Sequence, residues 1–268
     1  MTAGVSRVDA RAPAGAQPGG AELDGRFRLG RTRGPLPVLI GCSHGTADPE
    51  GRAAIRALLQ QVRLAAATLG CAEIDVVESF VDVQHPQIGE VVASVLHTAA
   101  AGAVVVPLLL SGGFHVHVDI AAAVGGTGMR AVASRPLGPD PRLVQILLER
   151  IKEAGVDEAR AVVIAAAGSS DPRAGRDVEA VAAALAQQRS GPVSVGYGAM
   201  APPTVDEAVD AAGPLAAAAS YLLAPGHFHG RVRAAGAAVV TRPLAPHPLL
   251  AEIVLDRYAA AVLRGRRS

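Results

Sequence analysis

Three stretches of this chain occur twice, in the same order. "PVLIGCSHGTADP" (37–49) returns as "AVVIAAAGSSDP" (161–172). "LLLSGGFHV" (108–116) returns as "LLAPGHFHG" (222–230), and "RPLGPDPRLVQILLERI" (135–151) as "RPLAPHPLLAEIVLDRY" (242–258). Ordered matches of this kind mark a duplicated unit. They constrain the fold strongly: the 268 residues must divide into two like halves, each large enough to hold a core of its own.

Within each half, short apolar runs alternate with longer helical patterns. Val38–Cys42 reads as a buried strand. The segment 50–69 sets Ile55, Leu58, Leu59 and Val62 on one helical face, and Gly70 closes it. Ile74–Val81 is the next strand, 86–102 a helix between a Pro and a Gly, 103–110 a third strand, and 139–155 a further helix. This alternation predicts an α/β fold in which each half is a parallel sheet of about four strands flanked by helices. Residues 1–34, rich in Pro, Gly and Ala, read as a flexible N-terminal tail, 35–155 as the first domain and 156–268 as the second. The expected ligand site is the cleft between the domains, at the carboxyl ends of their strands.

Composition excludes several classes. Aromatic residues make up 3% of the chain and Trp is absent, which argues against a base-stacking surface. Net charge is +1, so no global field draws nucleic acid or anionic membrane. Cys42 and Cys71 form no C-x-x-C pair; the expectation is two buried, reduced thiols in a cytoplasmic protein. No apolar leader or membrane-spanning run is visible.

The repeat also serves as an internal control. Gly45, Thr46, Asp48 and Pro49 match Gly168, Ser169, Asp171 and Pro172, so they read as strand-to-helix turn chemistry. Ser43 matches Ala166 and His44 matches Ala167. The fold therefore does not need His44.

Three chemistries compete for this turn. Gly41–Gly45 spells G-x-S-x-G, which would make Ser43 a hydrolase nucleophile with Asp119 or Asp210 and a later His as partners. However, such an elbow follows several earlier strands, and here it follows the first. A phosphate loop lacks both G-x-x-x-x-G-K-[ST] and G-x-G-x-x-G, so no ATP is implied. What survives is a helix N-terminus after each first strand, able to hold a carboxylate. A metal reading pairs His44 with His115 or His117, since parallel strands of one sheet end at one edge. Asp82 would add a carboxylate, and His85 reads as a loop residue. Imidazoles with open positions suit a borderline divalent metal.

"HGT" after the first strand, Phe80-x-Asp82 with a following Pro, and "GFHVHVDI" after the third strand together resemble the sirohydrochlorin chelatases, the class II chelatases of sirohaem and cobalamin synthesis. The resemblance covers nearly the whole chain after the tail. It implies two tandem chelatase-like domains, with the active site in the first and a degenerate repeat in the second, which keeps His229 but has Ala167 in place of the first histidine. The metal-binding and catalytic histidines it implies are His44 and His115; His117 falls on a variable position. Asp82 stands where the family has Glu, and Ala121 where it has Pro. The implied reaction is ATP-independent insertion of Fe2+, or alternatively Co2+, into sirohydrochlorin, with the metal as substrate and no organic cofactor. Gly45, Thr46, Phe114 and Arg52 are candidates for holding the substrate, with Arg173, Arg231 and Phe228 behind them and Tyr197 read as core. Asp119 is a candidate for orienting an imidazole. A non-catalytic tetrapyrrole or metal carrier is the alternative and a Ser43 hydrolase the third reading. The expected state is a monomer or homodimer, with no nucleic-acid or membrane partner.

Overall fold

The computed structural model describes residues 35–70, 74–113 and 116–265. The tail at 1–34, Cys71, Phe114 and His115 lie outside the described residues.

The first half runs β1 (Val38–Ser43), α1 (Pro49–Thr68), β2 (Val76–Phe80), α2 (Ile88–Thr98), β3 (Ala103–Pro107), a π-helical turn (Val116–Ile120), α3 (Ala121–Val124), β4 (Ala131–Ala133) and α4 (Pro141–Glu153). The second runs β5 (Val162–Ala166), α5 (Pro172–Ala186), β6 (Val193–Tyr197), α6 (Val205–Ala212), β7 (Ala217–Tyr221), α7 (His227–Ala234), β8 (Val239–Val240) and α8 (Pro248–Gly265). The strands form two parallel four-stranded sheets, ordered β2-β1-β3-β4 and β6-β5-β7-β8. This is the duplicated α/β architecture that the repeat predicts. The third strand stops at Pro107 rather than Leu110, although the Leu108 N–H still donates to the Cys42 carbonyl (2.7 Å).

β1 is buried along its whole length, as a strand covered on both faces must be. Asp48 caps α1, its side chain accepting from Glu50 N–H (2.8 Å) and Gly51 N–H (3.2 Å), and Pro49 opens the helix. Asp171 and Pro172 repeat the device on α5.

The halves differ from the simple expectation in one respect. Each half closes one apolar cluster from its own residues, around Ile40 and Val105 in the first and around Val163 and Ala218 in the second, but not the cluster on the other face of its sheet. α4, which ends the first half, packs on α5 and β7 of the second; α8, which ends the second, packs on α1, β3 and β4 of the first. One apolar cluster consequently runs through both halves, from Leu39 and Val104 through Ile146 and Ile164 to Leu255.

Two repeat-equivalent arginines fasten this exchange. Arg150 of α4 donates to the carbonyls of Pro243 (3.1 Å) and Leu244 (2.8 Å). Arg257 of α8 donates to those of Pro136 and Leu137 (2.8 Å each). Pro136-Leu137 is the repeat counterpart of Pro243-Leu244, so the two clasps are reciprocal, as across a two-fold interface between like subunits. Arg150 is 2% exposed, and five-donor guanidinium geometry suits it to satisfying several carbonyls at once.

Candidate functional site

The two strand-to-helix turns are built alike. Gly45 (φ +93°) and Gly168 (φ +89°) both adopt left-handed backbone, and a Cβ on either would collide with a backbone carbonyl, that of Asp82 or of Ala199. The next loop is tied to each turn in the same way. Asp82 N–H donates to the His44 carbonyl (3.1 Å), and Ala199 N–H donates to the Ala167 carbonyl (3.0 Å). On this common frame the first half carries an imidazole where the second carries a methyl group.

A cavity of about 1130 Å³ lies between the halves, at the carboxyl ends of both sheets. That is the position expected for a ligand in open parallel sheets, and the volume exceeds the range typical of small-molecule pockets. His44, Gly45 and Thr46 line it from one side; Gly168, Ser169, Phe228 and His229 line it from the other. Leu108 and Leu222 are among its apolar lining residues.

His44 is half-buried at this wall, with Nδ1 3.4 Å from the Gly45 carbonyl oxygen. Thr46 also faces the cavity, yet its polar groups are engaged in the turn: its N–H donates to Gln84 Oε1 (2.8 Å) and its Oγ1 accepts from Asp48 N–H (3.1 Å). Asp82 is exposed and outside the lining, and its carboxylate accepts from the neighbouring Val83 N–H (2.7 Å). Asp119 lies on the π turn beside β1. Its charge is one of the influences on the Cys42 thiol, which burial pushes up to about 12, against a hydrogen bond from Ser79 that lowers it. Cys42 is therefore the inert, buried thiol expected of it. Among the described residues, no three His, Cys, Asp or Glu side chains form a group able to hold a metal ion.

Several expected substrate contacts need correction. The helix N-termini do not offer N–H groups to a carboxylate, because the caps of Asp48 and Asp171 already accept from them and place negative charge there. Arg52 does not line the cavity; its Nε donates to the Thr46 carbonyl (2.8 Å) and braces the turn. Arg173 is exposed and paired with Asp171 (2.7 Å), and Arg231 is also outside the lining. The arginine that does line the cavity, among the described residues, is Arg176, one turn into α5. No pattern in the sequence distinguishes it from its neighbours. Ser43 ends β1 with its Oγ buried and without a hydrogen-bond partner among the described residues. A serine nucleophile needs a base in hydrogen-bond reach, and none of the described residues supplies one to Ser43.

From the second half, Phe228 packs edge-on against His227 (5.4 Å between ring centroids). Tyr197 is core, as expected, although it also reaches the cavity wall. His229 lines the cavity while its Nε2 is buried and has no hydrogen-bond partner among the described residues. Burial holds this imidazole below the ordinary histidine value, against the raising influence of a hydrogen bond to the Thr241 backbone. Thr241 N–H is taken by the Ala218 carbonyl (2.9 Å).

The CbiX family model matches residues 38–154 and again residues 161–261. A sirohydrochlorin ferrochelatase of Priestia megaterium is 33% identical over 113 residues, covering 40% of this chain and 42% of that protein. A sirohydrochlorin cobaltochelatase of the same organism is 25% identical over 188 residues, covering 65% and 59%. The chain thus spans about half the length of the curated relatives it matches. Among solved structures, SirB from Bacillus subtilis with Fe3+ superposes with a TM-score of 0.70 at 21% identity, over 87% of this chain and 98% of that one. CbiX, described as the terminal enzyme for siroheme biosynthesis in denitrifying bacteria, gives 0.61 at 20% identity, over 83% and 98%. At these identities the structural likeness is one of fold. Among the described residues, no helix is long and apolar enough to cross a membrane.

Proposed function

Since this chain belongs to the CbiX family, we propose that it inserts Fe2+ or Co2+ into sirohydrochlorin, as a cytoplasmic enzyme using neither ATP nor an organic cofactor. The observation that carries the reading is His44. It stands at the wall of the inter-half cavity, on a turn whose copy in the second half has Ala167 and loses nothing as a fold. On this reading residues 35–155 supply the chemistry and 156–268 the opposing wall.

The reaction removes two protons from the inner nitrogens of the macrocycle and forms four metal–nitrogen bonds, so one dication replaces two protons. His44, with His115 after β3, holds the metal loosely, because few protein ligands leave positions open for ring nitrogens. An imidazole displaced by those nitrogens regains its lone pair and takes a macrocycle proton to solvent. Arg176 supplies a guanidinium to the carboxylate periphery of the substrate from the second half. Gly45 contributes close backbone approach, and Phe228 an apolar face.

The test is anaerobic steady-state insertion with Fe2+ and with Co2+, followed by absorbance at excess substrate. Multiple turnovers, lost in His44→Ala with the fold retained by circular dichroism, are the expected result. Uptake that stops at one equivalent per protein identifies a carrier instead. Full insertion activity in Ser43→Ala removes the hydrolase reading.

A further inference from the structure

One more pair of repeat-related residues borders the cavity, and the fold gives them no role. Val83 follows β2 and Met200 follows β6, each one residue after the N–H that reaches the turn carbonyl, Asp82 to His44 and Ala199 to Ala167. Both adopt left-handed backbone, at φ 53° and 66°. Both are exposed, by 53% and 73%, and both line the cavity, one from each half. A β-branched residue at positive φ is a conformational outlier. Glycine would adopt the same backbone without the strain. An apolar side chain left more than half exposed gains little from folding to offset it. Such strain gathers where a side chain is used. The position is built twice with the same backbone device, but filled by two different side chains whose shared property is apolar surface.

We infer that Val83 and Met200 are apolar lips that close on the tetrapyrrole from the two halves and select a broad, flat ring over smaller polycarboxylates. The inference rests on the proposed function and specifies how that substrate is held. The macrocycle presents wide apolar faces and an acidic rim, and each lip covered by a face loses water-exposed apolar area. Met200 adds a polarizable thioether, which packs favourably on an aromatic ring.

The test uses Val83→Gly, Met200→Gly and their double variant, because glycine keeps the backbone and removes only the lip. The double variant should raise KM for sirohydrochlorin about tenfold, the loss expected for partial burial of two such side chains, with KM for the metal unmoved and thermal unfolding no lower than wild type. Val83→Asn, compatible with the left-handed backbone but polar, should shift KM in the same direction. Wild-type KM in all these variants overturns the lips. Binding of metal-free sirohydrochlorin, read by fluorescence, separates the two readings. Weakened binding by the variants, with no turnover in the wild type, keeps the lips and defeats the chelatase reading. Turnover in the wild type with unchanged binding in the variants does the reverse. A wild type that binds no tetrapyrrole defeats both.

Discussion

The two halves share their turns, caps and clasps, and they differ most plainly at His44, where the second half has Ala167. Gly45 and Gly168, Asp48 and Asp171, and Arg150 and Arg257 do the same work at the same positions. His44, Asp82 and Gln84 face Ala167, Ala199 and Ala201 in the copy. The second half has thus kept a full set of scaffold residues while holding methyl groups at the positions that carry polar side chains in the first.

The comparison breaks most sharply at His44. His44→Ala should lower insertion on the order of a thousandfold, whereas His229→Ala on the opposite wall should cost about tenfold at most. Equal losses would mean that both halves carry chemistry. Next in size are the turns. Gly168→Ala and Gly45→Ala should each destabilise by about 3 kcal/mol in thermal or denaturant unfolding, from the positive φ and the carbonyl that a Cβ meets. A large difference between them would show that one turn is under less structural demand than the other.

The clasps come third. Arg150→Met and Arg257→Met should each cost about 2–3 kcal/mol, because both leave buried carbonyls unpaired. The surface pair offers the contrast: Arg173→Ala should leave the melting temperature unchanged. Smaller than the clasps is the effect at Asp140, whose repeat counterpart is His247. Burial would raise its carboxyl, but the hydrogen bonds from Arg142 and the charges of Arg142 and Arg257 outweigh burial and hold it below the ordinary Asp value. A carboxylate depressed in the folded state stabilises fully above its unfolded value and loses that contribution as pH falls through the folded one. Asp140→Asn should therefore cost about 1–2 kcal/mol at neutral pH and flatten the acid limb of the stability profile, read by denaturant midpoints across pH.

Much of this was legible in the sequence, for local reasons. The order of strands and helices follows from apolar runs, caps and prolines that act within a few residues. His44 stood out because the duplication supplies its own comparison. The exchange of α4 and α8 was not legible, since an apolar helix face carries no mark of which sheet it will cover. Arg150 and Arg257 read as ordinary helix charges until the structure brings the Pro-Leu carbonyls of the other half to them. Arg52 failed as a substrate contact because the Thr46 carbonyl is closer to hand. Arg176 was missed because its role depends on the direction α5 faces across the cavity, which no spacing encodes. His115 lies outside the described residues, and its partnership with His44 stands on the proposed chemistry alone.

The exchanged helices also set an order of events during synthesis. When the ribosome has completed α4, the faces of α1, β3 and β4 that α8 will cover are still bare. α8 emerges roughly 100 residues later, about 5–20 s at ordinary elongation rates. For that interval the nascent first half exposes an apolar surface that α8 covers in the folded chain. The shared core therefore becomes final only once α8 has been made.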